Sequence, residues 1–154
     1  MRVSAKADYA VRAAVELASR KVSDEGPIKG GDLATAQKIP LRFLENILGE
    51  LRHAGIVQSQ RGAEGGYWLA RSADDITLAE IIRSVEGPLA SVRGERPEDL
   101  DYHGNSEQLR DVWIALRANI RQVLELVTLE DVVERRLPEP VTAIAASPEA
   151  WEPH

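Results

Sequence analysis

The run from Ile28 to Arg71, IKGGDLATAQKIPLRFLENILGELRHAGIVQSQRGAEGGYWLAR, constrains the fold more than any other part of the chain. Phe43, Leu44, Ile47, Leu48 and Leu51 recur at the spacing that puts one helix face in a core. Pro40 stands where a first-turn residue belongs, since its missing N–H would have no helical partner there. Gly55 follows the last turn, where a left-handed cap needs a residue without Cβ. The opposite face carries Leu41, Arg42, Glu45 and Asn46. Val57 to Arg61 begins in strand-like alternation, and Tyr67 to Leu69 is rich in strand formers. Between them Gly62-Ala63-Glu64-Gly65-Gly66 reads as a loop rich in residues that tolerate positive φ. Two short helices across a turn followed by a two-stranded hairpin make a winged helix-turn-helix.

That arrangement carries a functional expectation. A helix lying in a major groove reads bases with residues near its N-terminus. Arg42 and Asn46 are the natural candidates, because Arg pairs two-fold with guanine and Asn with adenine. Arg61 stands at the base of the wing tip, where a cation can reach a narrow minor groove. The bland alternative is an ordinary hairpin with a solvated arginine; the helix pair ahead of it favours DNA contact.

A net charge of −6 looks unsuited to a polyanionic partner. Its distribution is more informative: residues 1–71 hold 11 Lys and Arg against 8 Asp and Glu, and the remainder 8 against 17. The basic half is the half with the winged-helix pattern, and an acidic distal half would orient the molecule on a polyanion. An excess of three could also be chance scatter. Hydrophobic residues make up 44 %, enough for a core. The absence of cysteine excludes disulfides, cysteine nucleophiles and thiolate metal sites. No apolar run approaches a membrane span, and MRVSAKADYA lacks a signal-peptide core, so a cytoplasmic protein with no membrane partner is expected.

Along the chain, Ser4 to Arg20 reads as a helix capped by Ser4, with Ala7, Ala10, Val11, Ala14, Val15 and Ala18 on its apolar stripe. Ser4 and Lys6, at its start, are candidates to meet a phosphate, although a solvated Lys6 is an equal alternative. Asp8 and Arg12 suit a surface pair. Residues 21–27 read as a loop, and Asp32 as a cap for a short helix through Gln37. Thr77 caps a helix with Glu80 in the capping-box position; Leu78, Ile81, Ile82 and Val85 point inward, and Gly87-Pro88 ends it. Leu89 to Asn105 is a charged loop long enough to be functional or mobile.

Ser106 to Val127 reads as a long helix. Leu109, Val112, Trp113, Leu116, Ile120, Val123, Leu124 and Val127 recur at steps of three and four, a near-heptad seam. Such a stripe needs cover, and the same helix of a second subunit is the simplest cover; folding back on its own domain is the alternative. Trp113 is read as core, with an effector pocket as the other option. Thr128 starts a short closing helix, and a loosely ordered tail follows from Leu137. The overall reading is mainly α with a small β wing. It comprises a winged helix-turn-helix domain over 1–88, the charged loop over 89–105, a dimerisation helix and closing helix over 106–136, and the tail over 137–154. No nucleophile–base pair, phosphate loop or metal cluster is recognisable, so an enzyme is not expected. His53, His103 and His154 are scattered.

Three segments, SAKADYAVRA, IPLRFLENILGELRHAGIVQSQRGAEGGYWLAR and ITLAEIIRSVEGPL, closely resemble the Rrf2 family of bacterial winged-helix transcription regulators. The likeness runs from about Ser4 to Leu89 and resumes in VWIALRANIRQVLELVTLEDV. The resemblance implies a homodimer of two winged-helix domains joined by crossed long helices, bound to a near-palindromic operator on double-stranded DNA. It puts Pro40, Leu41 and Arg42 at the start of the recognition helix, and Arg61 with Gly62 at the wing. Sensor members of the family hold an iron–sulfur cluster through three cysteines in the loop corresponding to 89–105. This chain has none, so the conventional cluster is not expected. Asp8 matches a position that ligates a cluster in some relatives, and a substitute site from Asp8, Asp101 and His103 has only its spacing to support it.

The expectation is thus a dimeric, sequence-specific regulator, in the first instance a repressor, without a cofactor. Three control routes stay open: no ligand, a small-molecule effector between the loop and the long helix, or a partner protein. The competing class is a winged helix that binds proteins rather than DNA.

Overall fold

A computed structural model describes residues 2–20 and 26–153. The loop expected over 21–27 lies outside the described residues for its first five positions, as does His154.

Helix α1, Ala5–Ser19, is the hub. The Ser4 hydroxyl accepts from the Ala7 N–H at 3.1 Å, closing its first turn. Its buried residues are Ala7, Ala10, Ala13, Ala14 and Leu17. Val11, Val15 and Ala18 are only partly buried against the core, so the stripe is centred one position away from the expected line. Small side chains along α1 let several elements approach closely: α2 (Gly30–Gln37), α3 (Leu41–His53), β2 (Gly66–Leu69), α4 (Leu78–Glu86) and α6 (Leu129–Val133) all pack on it.

Helix α2 begins at Gly30, one turn earlier than a cap at Asp32 would require. Asp32 lies inside its first turn, where a carboxylate suits the helix dipole. Lys38, left-handed at φ 52°, ends α2, and buried Ile39 followed by exposed Pro40 leads directly into α3. Gly55, at φ +75°, closes α3: its N–H reaches the Arg52 carbonyl at 3.1 Å, and the Ile56 N–H reaches that of Leu51 at 3.0 Å.

Strand β1, Val57–Gln60, pairs antiparallel with β2 in the register Val57 opposite Leu69. Ile28 adds a short third rung, exchanging both backbone bonds with Tyr67 at 2.9 and 2.8 Å. That rung explains the glycines of the wing better than flexibility does. A Cβ on Gly66 would sit 2.5 Å from the Ile28 carbonyl oxygen, and one on Gly65 2.2 Å from that of Gln60.

Thr77 caps α4 by accepting from the Glu80 N–H, but the Glu80 carboxylate turns to Arg71 instead of back to Thr77, so half of the expected capping box forms. The reciprocal box is at Thr128 and Asp131, at the start of α6. Within α4, Ala79, Ile81 and Val85 are buried, while Leu78 and Ile82 are half-buried.

The long helix is shorter than expected. Helix α5 spans Leu109–Leu124. Residues 104–106 form a 3-10 turn before it, and after it the chain leaves the helix to bridge Thr128 to Thr77. Val127 is therefore buried in its own subunit at 3 % exposure and is removed from the expected dimer seam. Leu129 sits in the same core cluster as α1 and α3. The 89–105 loop is folded: Leu89, Pro97 and Leu100 are buried, and its Pro97–Asp99 turn packs on α5. Trp113 faces this loop, its indole donating to the Tyr102 hydroxyl at 2.9 Å. The tail also departs from expectation, since Glu139–Ala146 forms a helix, α7. Proline at its first turn and an alanine-rich body favour that helix, and the Trp151 indole caps back onto the Ala145 carbonyl at 2.6 Å.

Candidate nucleic-acid interface

Helix α3 divides cleanly between core and solvent. Leu44, Ile47, Leu48 and Leu51 are buried, while Leu41, Arg42, Glu45 and Asn46 are exposed. Phe43 departs from its expected place in the core: it is 50 % exposed and meets Tyr9 edge-on, ring centroids 6.0 Å apart. At 100° per residue it lies about a quarter-turn from the buried centre, beside Asn46. Arg42 and Asn46 occupy one outward row, four residues apart.

The start of α3 is held by backbone and side-chain packing rather than by a capping side chain. Pro40 has extended backbone there, and its carbonyl accepts from Phe43 and Leu44 at 3.0 Å each. A methyl group on Gly30 would touch both Leu41, at 3.7 Å, and the Tyr67 ring, at 3.5 Å. The first turn of α3, the first turn of α2 and the wing strand β2 therefore converge. From the other side, Arg12 on α1 bonds the Gln37 carbonyl at the end of α2, where a cation offsets the helix dipole. Gln37 in turn donates to Glu16 at 2.7 Å. The turn between α2 and α3 is thus clamped onto α1.

The cations of this half divide into two sets. Lys6 is engaged inside the subunit: its ammonium donates to the Val85 carbonyl and pairs with Glu50, each at 2.8 Å. The Ser4 hydroxyl, besides capping α1, donates to Glu86. Both were expected at a phosphate; in the free chain both bond to α3 or α4. Asp8 pairs with Arg12 at 3.1 Å, as its spacing suggests. The second set, around α2, α3 and the wing, is exposed: Lys29 before α2, Lys38 after it, Arg42 on α3, Arg52 near its end and Arg61 at the wing. Among the described residues none of these five has a carboxylate within ion-pair distance. Lys29 and Lys38 were not singled out by sequence reasoning; their positions flanking the helix ahead of the turn were the signal available. Gly62, next to Arg61, is exposed at φ +107°.

The metal question turns on donor chemistry. The sequence contains no cysteine, so the soft anionic donors that hold an iron–sulfur cluster are missing. Asp101 and His103 approach to 3.7 Å, but both are largely exposed, and among the described residues no three His, Asp or Glu side chains gather as a site that includes Asp8. The residues present do not fit a thiolate-held cluster. Among the described residues no helix is long and apolar enough to cross a membrane.

Residues 3–135 match the Rrf2 family, described as an iron-dependent transcriptional regulator. The chain is 50 % identical over 152 residues to the helix-turn-helix-type protein Rv1287 of Mycobacterium tuberculosis, covering 99 % of this chain and 93 % of that one. It is 36 % identical over 132 residues to the transcriptional regulator CymR of Bacillus subtilis, covering 86 % and 89 %. Among solved structures it resembles that CymR, the global cysteine regulator of B. subtilis, with a TM-score of 0.72, 34 % identity and 88 % and 98 % coverage. It also resembles IscR of T. potens, with a TM-score of 0.70, 34 % identity and 88 % coverage of each chain.

Proposed function

Because the chain belongs to the Rrf2 family of transcriptional regulators, and not to a family of enzymes, we propose that it acts as a homodimer on a near-palindromic operator in double-stranded DNA. The observation that carries this reading is the exposed set of uncompensated cations. Arg42 lies with Asn46 on the outward row of α3, and Arg61 on the wing of the same rigid unit. Arg42 and Asn46 read base edges, with Pro40 and Leu41 presenting the first turn; Arg61 and Gly62 approach the backbone or minor groove. Lys29 and Lys38 add phosphate contacts. Support for the dimer comes from α5. None of its residues is buried in the single subunit, and Leu109, Val112 and Leu116 are exposed along one edge. Ile120, Val123 and Leu124 continue that seam, whereas Trp113 flanks it. A two-fold protein then needs half-sites about an integral number of helical turns apart.

The mechanism is steric. An operator overlapping a promoter is occupied until an effector shifts the dimer geometry, in the bacterial cytoplasm and without a thiolate-ligated cluster. The competing reading, a winged helix that answers to or binds a partner protein, is separated from it by salt. Phosphate-driven binding falls steeply as salt rises, with a log–log slope of about −0.9 per neutralised phosphate. Purified protein is titrated by fluorescence anisotropy onto a fragment from upstream of its own gene and onto a scrambled one. Tight, selective and steeply salt-dependent binding is expected. Weak, sequence-blind binding at every salt would favour the protein-partner reading.

A further inference from the structure

The distal part of the chain concentrates its positive charge in one place. Residues 72–154 hold 8 arginines and no lysine against 17 acidic side chains. Four of those arginines, Arg83, Arg96, Arg117 and Arg121, line a single cleft of about 460 Å3, with Pro88 and Leu89 as its apolar wall. Arg83 comes from the last turn of α4, and Arg117 and Arg121 from successive turns of α5. Arg96 comes from the folded loop, whose Pro97–Asp99 turn packs on α5.

The carboxylates there are too few. Arg83 and Arg121 share Glu125, the second at 3.1 Å, and Arg117 is held by Glu98. Arg96 has no carboxylate within ion-pair distance among the described residues. Four guanidinium groups therefore face two carboxylates. Both glutamates are held ionised, below their ordinary 4.5: Glu98 first by its backbone N–H and then by Arg117, Glu125 first by Arg83 and then by Arg121. Two positive charges remain uncompensated, in a region whose composition would predict the opposite sign. Holding like charges together is unfavourable unless an anion joins them. The pairs present are partly exposed and exchange at little cost.

We propose that this cleft binds a small phosphorylated metabolite, a phosphate monoester with a short carbon skeleton. The dianionic group matches the two uncompensated charges, and guanidinium forks suit its oxygens through paired hydrogen bonds. The skeleton lies along Pro88 and Leu89. A cleft of this size is in the range of small-molecule sites, of order 300–1,000 Å3. The arginines of α5 lie on the flank turned to the loop, about 100° or more round the helix from exposed Val112 and Leu116. A bound anion ties α5 to the end of α4 and thereby to α1. That this changes operator affinity rests on the regulator reading above; the binding itself does not.

The full-length protein is titrated calorimetrically, without DNA, with glycerol 3-phosphate, inorganic phosphate and succinate at matched ionic strength. Saturable binding of glycerol 3-phosphate at one site per chain, with a raised melting temperature, is expected. Arg96→Ala, at an exposed position without a carboxylate partner, keeps the unliganded melting temperature and loses at least tenfold in affinity. Glu98→Gln, which removes a competing carboxylate, binds several-fold tighter. No saturable binding of either phosphate, binding of succinate alone, or equal affinity in Arg96→Ala overturns the proposal. So does an Arg96→Ala protein that changes oligomeric state with phosphate affinity intact, which would make the cluster a subunit contact. Phosphate binding by a protein that ignores DNA would leave the cleft standing and sink the regulator reading instead.

Discussion

At the scale of single residues, side chains of like charge separate by what surrounds them. Lys6 and Arg42 are both cations near a helix start, yet Lys6 spends its donors on Glu50 and Val85 while Arg42 faces solvent. Replacement of Arg61 by Ala is expected to weaken operator binding more than tenfold at fixed salt. Arg42→Ala should instead relax selectivity at one base position, by about 1–3 kcal/mol of discrimination. A competition assay over singly substituted operators distinguishes the two, and uniform loss across all of them would remove Arg42 from base reading. The wing supplies a stability prediction. Gly66→Ala forces a Cβ into the Ile28 carbonyl and should destabilise by about 2 kcal/mol or more. Gly31→Ala, with nothing within 4 Å of the new methyl group, should be neutral or gain up to about 1 kcal/mol. Urea unfolding of both variants checks the contrast.

At the scale of elements, periodicity located the helices and failed where a neighbour changed the outcome. The α3 pattern gave four of its five core positions correctly, but Phe43 has a partner outside the core in Tyr9, which no local spacing reveals. The 89–105 segment read as a charged loop because its apolar anchors are few among charged residues; they are buried only once the chain has folded, with the Pro97–Asp99 turn on α5. The two glutamates beside that loop bear on its pH response. Their folded pKa values are depressed, so the stabilisation they add is complete above 4.5 and is lost as pH falls through the lowered values. The protection of loop amides, relative to their intrinsic exchange at each pH, should therefore fall below that pH ahead of the α1 core. A loop that opens together with the core would remove this role from Glu98 and Glu125.

At the scale of the whole molecule, α5 has no buried residue in the single chain, and the proposed dimer rests on that face. Val112 is 52 % exposed, and Leu116 lies one turn further along the same edge. If the proposed dimer forms along α5, Leu116→Glu should give a monomer with an unchanged far-ultraviolet spectrum, and lower operator affinity at least a hundredfold as the second half-site is lost. Sedimentation gives the mass and anisotropy the affinity. A Leu116→Glu protein that stays dimeric would move the interface elsewhere, towards the exposed α7 and Trp151.

The sequence by itself determined the helices and strands from α1 to α6 and their order, though not α7. Apolar spacing, caps at Ser4 and Thr128 and the glycine breaks are local signals, and each acts within a few residues of its cause. It also determined the donor inventory, since a chain without cysteine has no thiolate to offer wherever it folds. The tertiary structure decided what local signals cannot carry: that Val127 returns to its own core, that Ile28 adds a rung to the wing, that Lys6 is already partnered, and that four arginines spread over thirty-nine positions share one cleft. Those outcomes depend on contacts between distant segments, which exist only after the α1 hub has brought its neighbours together.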